Sequence, residues 1–296
     1  MPELPEVETI VRDLNKKLKN KQIKELEAKD PKALLFSLAE FNKLAKNLVV
    51  KEVRRRAKMI IIKFTSKHTP NPSQEGNIYL VIHLKMTGQL VYQSGKQVIA
   101  GGHPIKNIGK ELPNKFTRAI FKFADSSKLF FNDVRRFGWI KLVNRNELAE
   151  ITEKHGIEPL SKDFSLEKFK QILASKQNTT IKQAIIDQEK IVGLGNIYAD
   201  EALFAAGIKP MRKVKSLQQT EIKNLWQAIP KILKYAIKHR GTTFNDYVDA
   251  KGEVGNFIKY LKVYGRAGEK CKNCQNIIQK TKLAGRGTHW CEKCQK

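Results

Sequence analysis

The chain opens Met1-Pro2-Glu3-Leu4-Pro5-Glu6-Val7-Glu8 and runs on to Leu18 with Val7, Ile10, Val11, Leu14 and Leu18 at i, i+3, i+4, i+7 and i+11. That spacing lines one face with apolar side chains and predicts a helix over residues 5–19. Two readings fit its first residues. Pro5 at the first helical position with acidic residues in the first turn is an ordinary helix start. Alternatively, loss of Met1 leaves Pro2 with a free secondary amine. An α-amino group has a pKa of about 7.7–8.0, so a useful fraction is unprotonated near neutrality. Such a nitrogen can attack an electrophilic carbon and leave an iminium, with Glu3 and Glu6 close by as acids. The rest of the chain decides between them.

The 296 residues suffice for two or more domains. Lys plus Arg number 56 against 29 Asp plus Glu, a formal charge of +27. That excess points to a polyanion, nucleic acid before an acidic membrane surface. No apolar run approaches the length of a membrane span, and the acidic N-terminus lacks a secretory apolar core. A cytoplasmic, nucleoid-associated protein is expected, where the four cysteines call for something other than disulfides.

Beyond the first helix come short apolar runs separated by polar turns: Val49-Val50, Met59 to Ile62, Tyr79 to Leu84, Leu90 to Tyr92, Ala119 to Phe123 and Leu129 to Phe131. Asp125-Ser126-Ser127 reads as a hairpin turn, and the succession predicts a β-sandwich or barrel. Residues 66–77 and 93–114, rich in Pro, Gly and polar side chains, read as exposed loops. From about residue 146 the pattern turns helical, with helices over Leu166–Ala174, Ile181–Ile186, Ile197–Ala206 and Ile222–Ile237. The expected class is α+β and multidomain. Its segments are 1–146 (β-sandwich with the N-terminal helix), 147–266 (helical) and 267–296 (cysteine tail), with a cleft between domains as the natural place for a site.

In the tail, Cys271-Lys272-Asn273-Cys274 and Cys291-Glu292-Lys293-Cys294 are two CxxC pairs with 16 residues between them. Each pair can offer two thiolates to one ion, the signature of a tetrahedral Zn2+ site. Four thiolates leave no open position, so the metal is structural, and it supplies folding energy to a segment too short for its own core. The intervening hairpin turns at Gly285-Arg286-Gly287 and, with Lys280 and Lys282, is basic enough to lie on phosphates.

Other constellations carry less information alone. Gly193-Leu194-Gly195-Asn196 opens a helix and suits a phosphate contact. Tyr198 stands where a dinucleotide fingerprint needs a third glycine, so a nucleotide cofactor is rejected. Arg135-Arg136-Phe137-Gly138 and His83-Leu84-Lys85-Met86-Thr87-Gly88 could supply side-chain wedges for a duplex, or simply a core Phe, a core Met and a satisfied strand His. Lys58 follows Arg54-Arg55-Arg56, either a phosphate patch or a solvated strand edge.

Taken together these residues resemble one family, the formamidopyrimidine-DNA glycosylases. The matching motifs run in order from Pro2-Glu3-Leu4-Pro5-Glu6-Val7-Glu8 through Arg56-Ala57-Lys58, His83 to Gly88, Arg135 to Gly138 and Gly193 to Glu201. They end with Gly241-Thr242-Thr243, Val263-Tyr264-Gly265-Arg266 and the cysteine tail. The resemblance implies a β-sandwich bearing a catalytic N-terminal helix, a helix–two-turn–helix domain and a zinc finger. It also implies a monomer acting on double-stranded DNA with oxidised bases, with no membrane partner. The target base would be flipped out of the duplex. By similarity, Pro2 attacks C1′, Glu3 donates a proton, Lys58 assists strand cleavage and Arg286 supports the second elimination. Met86, Arg135 and Phe137 fill the gap left by the base. Glu6, His83, Asn178, Lys182, Asn196 and Tyr264 fall among the DNA-contacting positions. Residues 242–257 resemble the loop that closes over the everted base.

The chain departs from the pattern at Phe116, where the family often has a DNA-contacting His, so Arg118 or Lys115 is the expected substitute. Asn178 replaces a common basic residue. The expected activity is removal of oxidised purines with β,δ-elimination. The rivals are an endonuclease VIII-like enzyme for oxidised pyrimidines, disfavoured by Leu4, and a non-catalytic zinc protein that binds damaged DNA.

Overall fold

The computed structural model describes residues 1–66, 78–102, 111–242 and 256–296. It divides into two units, Met1–Glu153 with Arg240–Asn256, and Lys154–His239 with Phe257–Lys296.

In the first unit, α1 (Leu4–Leu18) leads into β1 (Ile23–Ala28), α2 (Leu38–Ala45), β2 (Leu48–Arg56), β3 (Met59–Ser66), β4 (Ile78–His83), β5 (Gly88–Ser94), β6 (Gln97–Gly102), β7 (Thr117–Phe123), β8 (Lys128–Asp133), β9 (Trp139–Val143) and α3 (Arg145–Glu153). The strands form two antiparallel sheets, ordered β1-β7-β8-β5-β6 and β2-β3-β4-β9. Val7, Ile10 and Leu14 of α1, Ile60 and Ile62 of β3, and Phe121, Phe130 and Phe131 of the larger sheet share one buried cluster. The expected sandwich therefore forms with the N-terminal helix in its core. The turn at 125–127 is held by Asp125, whose Oδ1 accepts from the backbone N and Oγ of Ser127 at 3.1 and 2.6 Å.

Three strands of the first unit were not read from the sequence, β1, β6 and β9, and the first two show why. In β1, the Ile-Lys-Glu-Leu-Glu-Ala run is too charged to look like a strand. It is an edge strand, and Lys122 on β7 pairs with Glu25 and Glu27 across the sheet, each at 3.1 Å. The second, β6, corrects the loop expected at 93–114. Its glycines mark a close approach rather than a turn. A Cβ at Gly101 would meet Ile10 Cγ1 at 2.4 Å, so α1 can lie on this strand only where no side chain stands. The remainder of that segment at 103–110, residues 67–77 of the other expected loop, and residues 243–255 of the base-closing segment lie outside the described residues.

The second unit contains α4 (Leu166–Ala174), α5 (Ile181–Ile186), α6 (Asn196–Ala206), α7 (Gln219–Lys238), β10 (Ile278–Leu283) and β11 (Arg286–Cys291). In α6 the residues from Tyr198 to Phe204 are all buried, so it shows no amphipathic stripe and acts as the hub. The cysteine tail joins the helices rather than standing apart. Phe204 and Val263 share a core with Cys271, Ile278 and Cys291. Gln295 Nε2 donates to the Ile208 carbonyl at 2.7 Å. Among the described residues no helix is long and apolar enough to cross a membrane.

Asn42 of α2 seals the outer edge of β1. Its Oδ1 accepts from Leu26 N at 2.8 Å and its Nδ2 donates to Leu26 O at 2.9 Å, imitating a strand partner. Asn42→Asp keeps the acceptor and loses the donor. The expected cost is about 1–3 kcal/mol for the orphaned carbonyl, read as a lower urea midpoint; an unchanged midpoint would contradict the pairing.

Candidate functional site

Glu3 is the N-cap of α1 and Pro5 occupies its first turn, forming a reciprocal capping box with Glu6. Pro2, Glu3 and Glu6 are buried. With Met1 attached, the Pro2 nitrogen is an amide and has no nucleophilic lone pair. Glu6, expected to contact DNA, is instead a tether. Its Oε2 accepts from Glu3 N at 2.9 Å. Its Oε1 accepts from the backbone N and hydroxyl of Thr242 at 2.8 and 3.1 Å. At Gly241, where φ is +76°, a Cβ would fall 2.5 Å from Glu6 Oε1, so the tether requires glycine there. Arg240 adds an ion pair to Asp13 of the same helix.

Lys58 is buried at the turn between β2 and β3, after Ala57 in the left-handed region. Arg55 ties that turn to α1, donating from Nε to Glu8 at 3.1 Å and from Nη1 to the Ala57 carbonyl at 2.8 Å. The helix that carries Pro2 and Glu3 thus also holds the segment that carries Lys58.

The turns carrying Met86 and Arg135–Phe137 are organised by a carboxylate that the sequence reading missed. Asp133, fully buried at the end of β8, accepts from Arg135 N at 3.2 Å, from Gly138 N at 2.7 Å and from the Thr87 hydroxyl. The Thr87 hydroxyl also accepts from Arg135 N at 3.0 Å. The turns bearing Met86 and Arg135–Phe137 are thereby pinned to one another. Met86 and Phe137 are 41% and 54% exposed, large apolar side chains held out to solvent rather than core residues. The Arg135 guanidinium lies 4.8 Å from the Phe137 ring centre. An Asp at a strand end followed by an Arg-rich turn was the signal available. His83 Nδ1 accepts from Lys85 N at 2.9 Å. Arg118, expected to replace a phosphate-contacting His, is buried and donates to the Asp133 carbonyl at 2.8 Å, so that expectation is corrected; Lys115 remains exposed.

In the second unit Asn178 is exposed in the turn before α5. Lys182 is not available to phosphate. It is 1% exposed, and its Nζ lies 2.6 Å from Asp200 Oδ1 and donates to Thr288 Oγ1 at 2.8 Å and to the Gly287 carbonyl at 3.3 Å. The expected DNA contact is therefore corrected to an anchor for the hairpin. Asn196 shares this work, donating from Nδ2 to the Gly287 carbonyl at 2.6 Å. Gln188, also missed, shapes the Gly193–Gly195 turn by accepting from Gly193 N at 3.0 Å and donating to the Leu194 carbonyl at 2.7 Å. Glu201 accepts from the backbone N–H groups of Lys262, Val263 and Tyr264 at 2.9–3.1 Å, fixing the segment that bears Tyr264. Burial pushes its carboxyl above the usual carboxylate range, and those three donors oppose the shift. Arg286 is exposed at the start of β11.

The ligand atoms of Cys271, Cys274, Cys291 and Cys294 all lie within 4.8 Å of one another. The Sγ pairs 271–294 and 274–291 are 3.8 and 3.5 Å apart, too long for disulfides. A metal–sulfur distance of about 2.3 Å sets tetrahedral sulfurs about 3.8 Å apart, so the cluster fits one structural Zn2+.

Three family models match the chain. The formamidopyrimidine-DNA glycosylase N-terminal domain covers residues 1–140, its H2TH domain 155–248, and the zinc finger found in FPG and IleRS 268–296. Proteins named formamidopyrimidine-DNA glycosylase from Carboxydothermus hydrogenoformans and Prochlorococcus marinus are 39% and 37% identical, with all of both chains covered. Among solved structures, a Lactococcus lactis Fpg mutant in complex with Fapy-dG-containing DNA superposes with a TM-score of 0.85 at 32% identity, covering all of both chains. The wild-type enzyme of that organism with DNA containing an oxidised pyrimidine gives 0.84 at 32% identity and the same coverage.

A Cβ at Gly138 would fall 2.7 Å from Phe131 Cζ and 3.1 Å from Asp133 Oδ2. Gly138→Ala should displace the Arg135–Phe137 turn and weaken duplex binding with zinc content unchanged; wild-type affinity would contradict the Asp133 clamp. Chelation of zinc should abolish amide protection in β10 and β11 together with DNA affinity. Retention of both after metal removal would show that the tail folds without the ion.

Proposed function

The chain belongs to the formamidopyrimidine-DNA glycosylase family, and on that premise we infer that it is a base-excision-repair DNA glycosylase with abasic-site lyase activity, acting on damaged double-stranded DNA. The observation that carries this reading is full-length similarity at 39% identity to a protein of that name. The substrate class follows by similarity: oxidised purines, 8-oxoguanine and formamidopyrimidines. The protein works as a cytoplasmic monomer, in segments 1–146, 147–266 and 267–296.

In the mechanism we propose, removal of Met1 frees the Pro2 nitrogen. It bonds to C1′ of the lesion nucleotide as the glycosidic bond breaks and the base leaves. Glu3, at the N-cap beside it, donates the proton that opens the sugar, leaving an iminium on Pro2. β-Elimination then loses a C2′ proton to a solvent base, with the iminium as electron sink, and breaks C3′–O3′ as the phosphate leaves with Lys58 as proton donor. δ-Elimination loses the C4′ proton in the same way and breaks C5′–O5′ with support from Arg286. The burial of Glu3 and Lys58 supports this reading, because a site that excludes water strengthens proton and charge interactions inside it. Met86, Arg135 and Phe137 suit the space vacated by the base. Their exposure supports insertion into the duplex, and an Arg stacked on an aromatic ring can also read a base edge. His83, Asn178, Asn196 and Tyr264 belong to the same DNA-facing set, and zinc holds the finger and takes no part in the chemistry.

A second reading, preference for oxidised pyrimidines, has a specific observation in its favour, the Lactococcus lactis complex with such DNA. One experiment separates the readings. The mature protein should form a borohydride-trapped adduct with an 8-oxoguanine duplex, with the sugar remnant on Pro2, and Pro2→Gly should trap far more slowly. A remnant on another side chain sinks the mechanism, and much faster excision of thymine glycol would reverse the substrate assignment.

A further inference from the structure

Zinc fixes the finger at one end only. Cys291 closes β11 and Arg286 opens it. At about 3.3 Å per strand residue, the arginine stands about 17 Å from that ligand. A two-stranded hairpin is at best marginally stable in water, so the metal cannot by itself dictate where the tip lies. The structure supplies a second mount. Three successive residues after Arg286 are gripped by side chains of α5 and α6. The Gly287 carbonyl accepts from Lys182 Nζ and Asn196 Nδ2 at 3.3 and 2.6 Å. The Thr288 hydroxyl accepts from Lys182 Nζ at 2.8 Å and donates to the Arg286 carbonyl at 3.2 Å. His289 N donates to Asp200 Oδ2 at 2.8 Å. Asp200 and Lys182 form an ion pair at 2.6 Å, with side chains 0% and 1% exposed.

We infer that Asp200 is a positioning residue: paired with Lys182 and bound to His289 N–H, it mounts the finger tip on α5 and α6 and so sets where Arg286 meets the DNA strand. The inference rests on the reading that Arg286 supports the second elimination. Its physical basis is directionality. Apolar contact alone would hold the hairpin against α6 but leave it free to slide, whereas a buried lysine shared among a carboxylate, a carbonyl and a hydroxyl has one good geometry. The exposed arginine is then the first residue beyond a rigid mount, the arrangement that keeps a reacting group within tenths of an ångström of its target.

The test uses the full-length, zinc-loaded protein and a duplex with a single abasic site. Zinc content, the yield of the borohydride adduct and the ratio of δ- to β-elimination ends are measured together. Asp200→Asn removes the charge. A Lys182→Met/Asp200→Leu double variant removes the pair without stranding either ion, guarding against simple misfolding. Both should keep zinc and the adduct while the ratio falls about tenfold, the scale expected for a small displacement of a reacting group. A wild-type ratio in both variants overturns the inference, as does loss of zinc from both, which would make the pair a folding element only. Arg286→Ala runs alongside. If it leaves the ratio unchanged, the role given to Arg286 fails and the inference falls with it. If it lowers the ratio while the Asp200 variants do not, the positioning claim alone is wrong.

Discussion

The carboxylate of Glu6 is the constraint on which the N-terminal half turns. One oxygen takes the backbone N–H of Glu3, and the other takes the N–H and hydroxyl of Thr242. A single buried group thereby fixes the first residues of the chain and the start of a segment more than two hundred residues later. The sandwich beneath it supplies rigidity. The apolar face of α1 shares one core with both sheets, so the helix cannot shift without disturbing that packing. In the mechanism we propose the Pro2 nitrogen reacts, and at the tip of a frayed terminus it would lose most of its orientation to thermal motion. Here Pro2 and Glu3 are buried and the start of the helix is capped and tied.

The same device recurs. Asp133 grips the turns that hold Met86 and Arg135–Phe137, Glu201 holds the segment of Tyr264, and Asp200 holds the finger behind Arg286. In a chain of formal charge +27 with 29 acidic residues, these four are buried, each accepting backbone N–H groups where a site residue is displayed. The division of labour is physical. Cations that meet a polyanion must stay hydrated and exposed until it arrives. An anion buried among N–H donors is shielded from that encounter and can serve as a fixed internal anchor. Lys182 and Arg118 are cations committed to the interior, and Lys58 is buried at the turn between β2 and β3.

The course of the chain was legible wherever one physical signal dominated. Helix α5 falls on the residues its apolar spacing predicts, because Thr180 and Gln183 cap its start. The hairpin at Asp125 follows from a short polar turn between two apolar runs. Strand β1 was hidden because an edge strand can carry charge on its open side. Strand β6 was hidden because two glycines that signal a turn in sequence are, in space, close approaches: Ile10 presses on Gly101, and the backbone of β5 crowds Gly102.

By itself the sequence determined the local and the chemical: an amphipathic first helix, a run of short strands before a run of helices, and four thiols at metal spacing. It also carried the ordered motifs that mark the family. Those features depend on residue type and on separations of a few positions, which a linear string records. Only the tertiary structure decided what each polar side chain does. Glu6 and Lys182 became internal ties, Arg118 a support for Asp133, and Asp133 itself the organiser of two distant turns, because hydrogen-bond partnership depends on which segments burial brings together. An isolated lysine and a lysine paired in the core are the same letter, and the difference between a phosphate contact and a structural anchor is made by the desolvation that packing imposes.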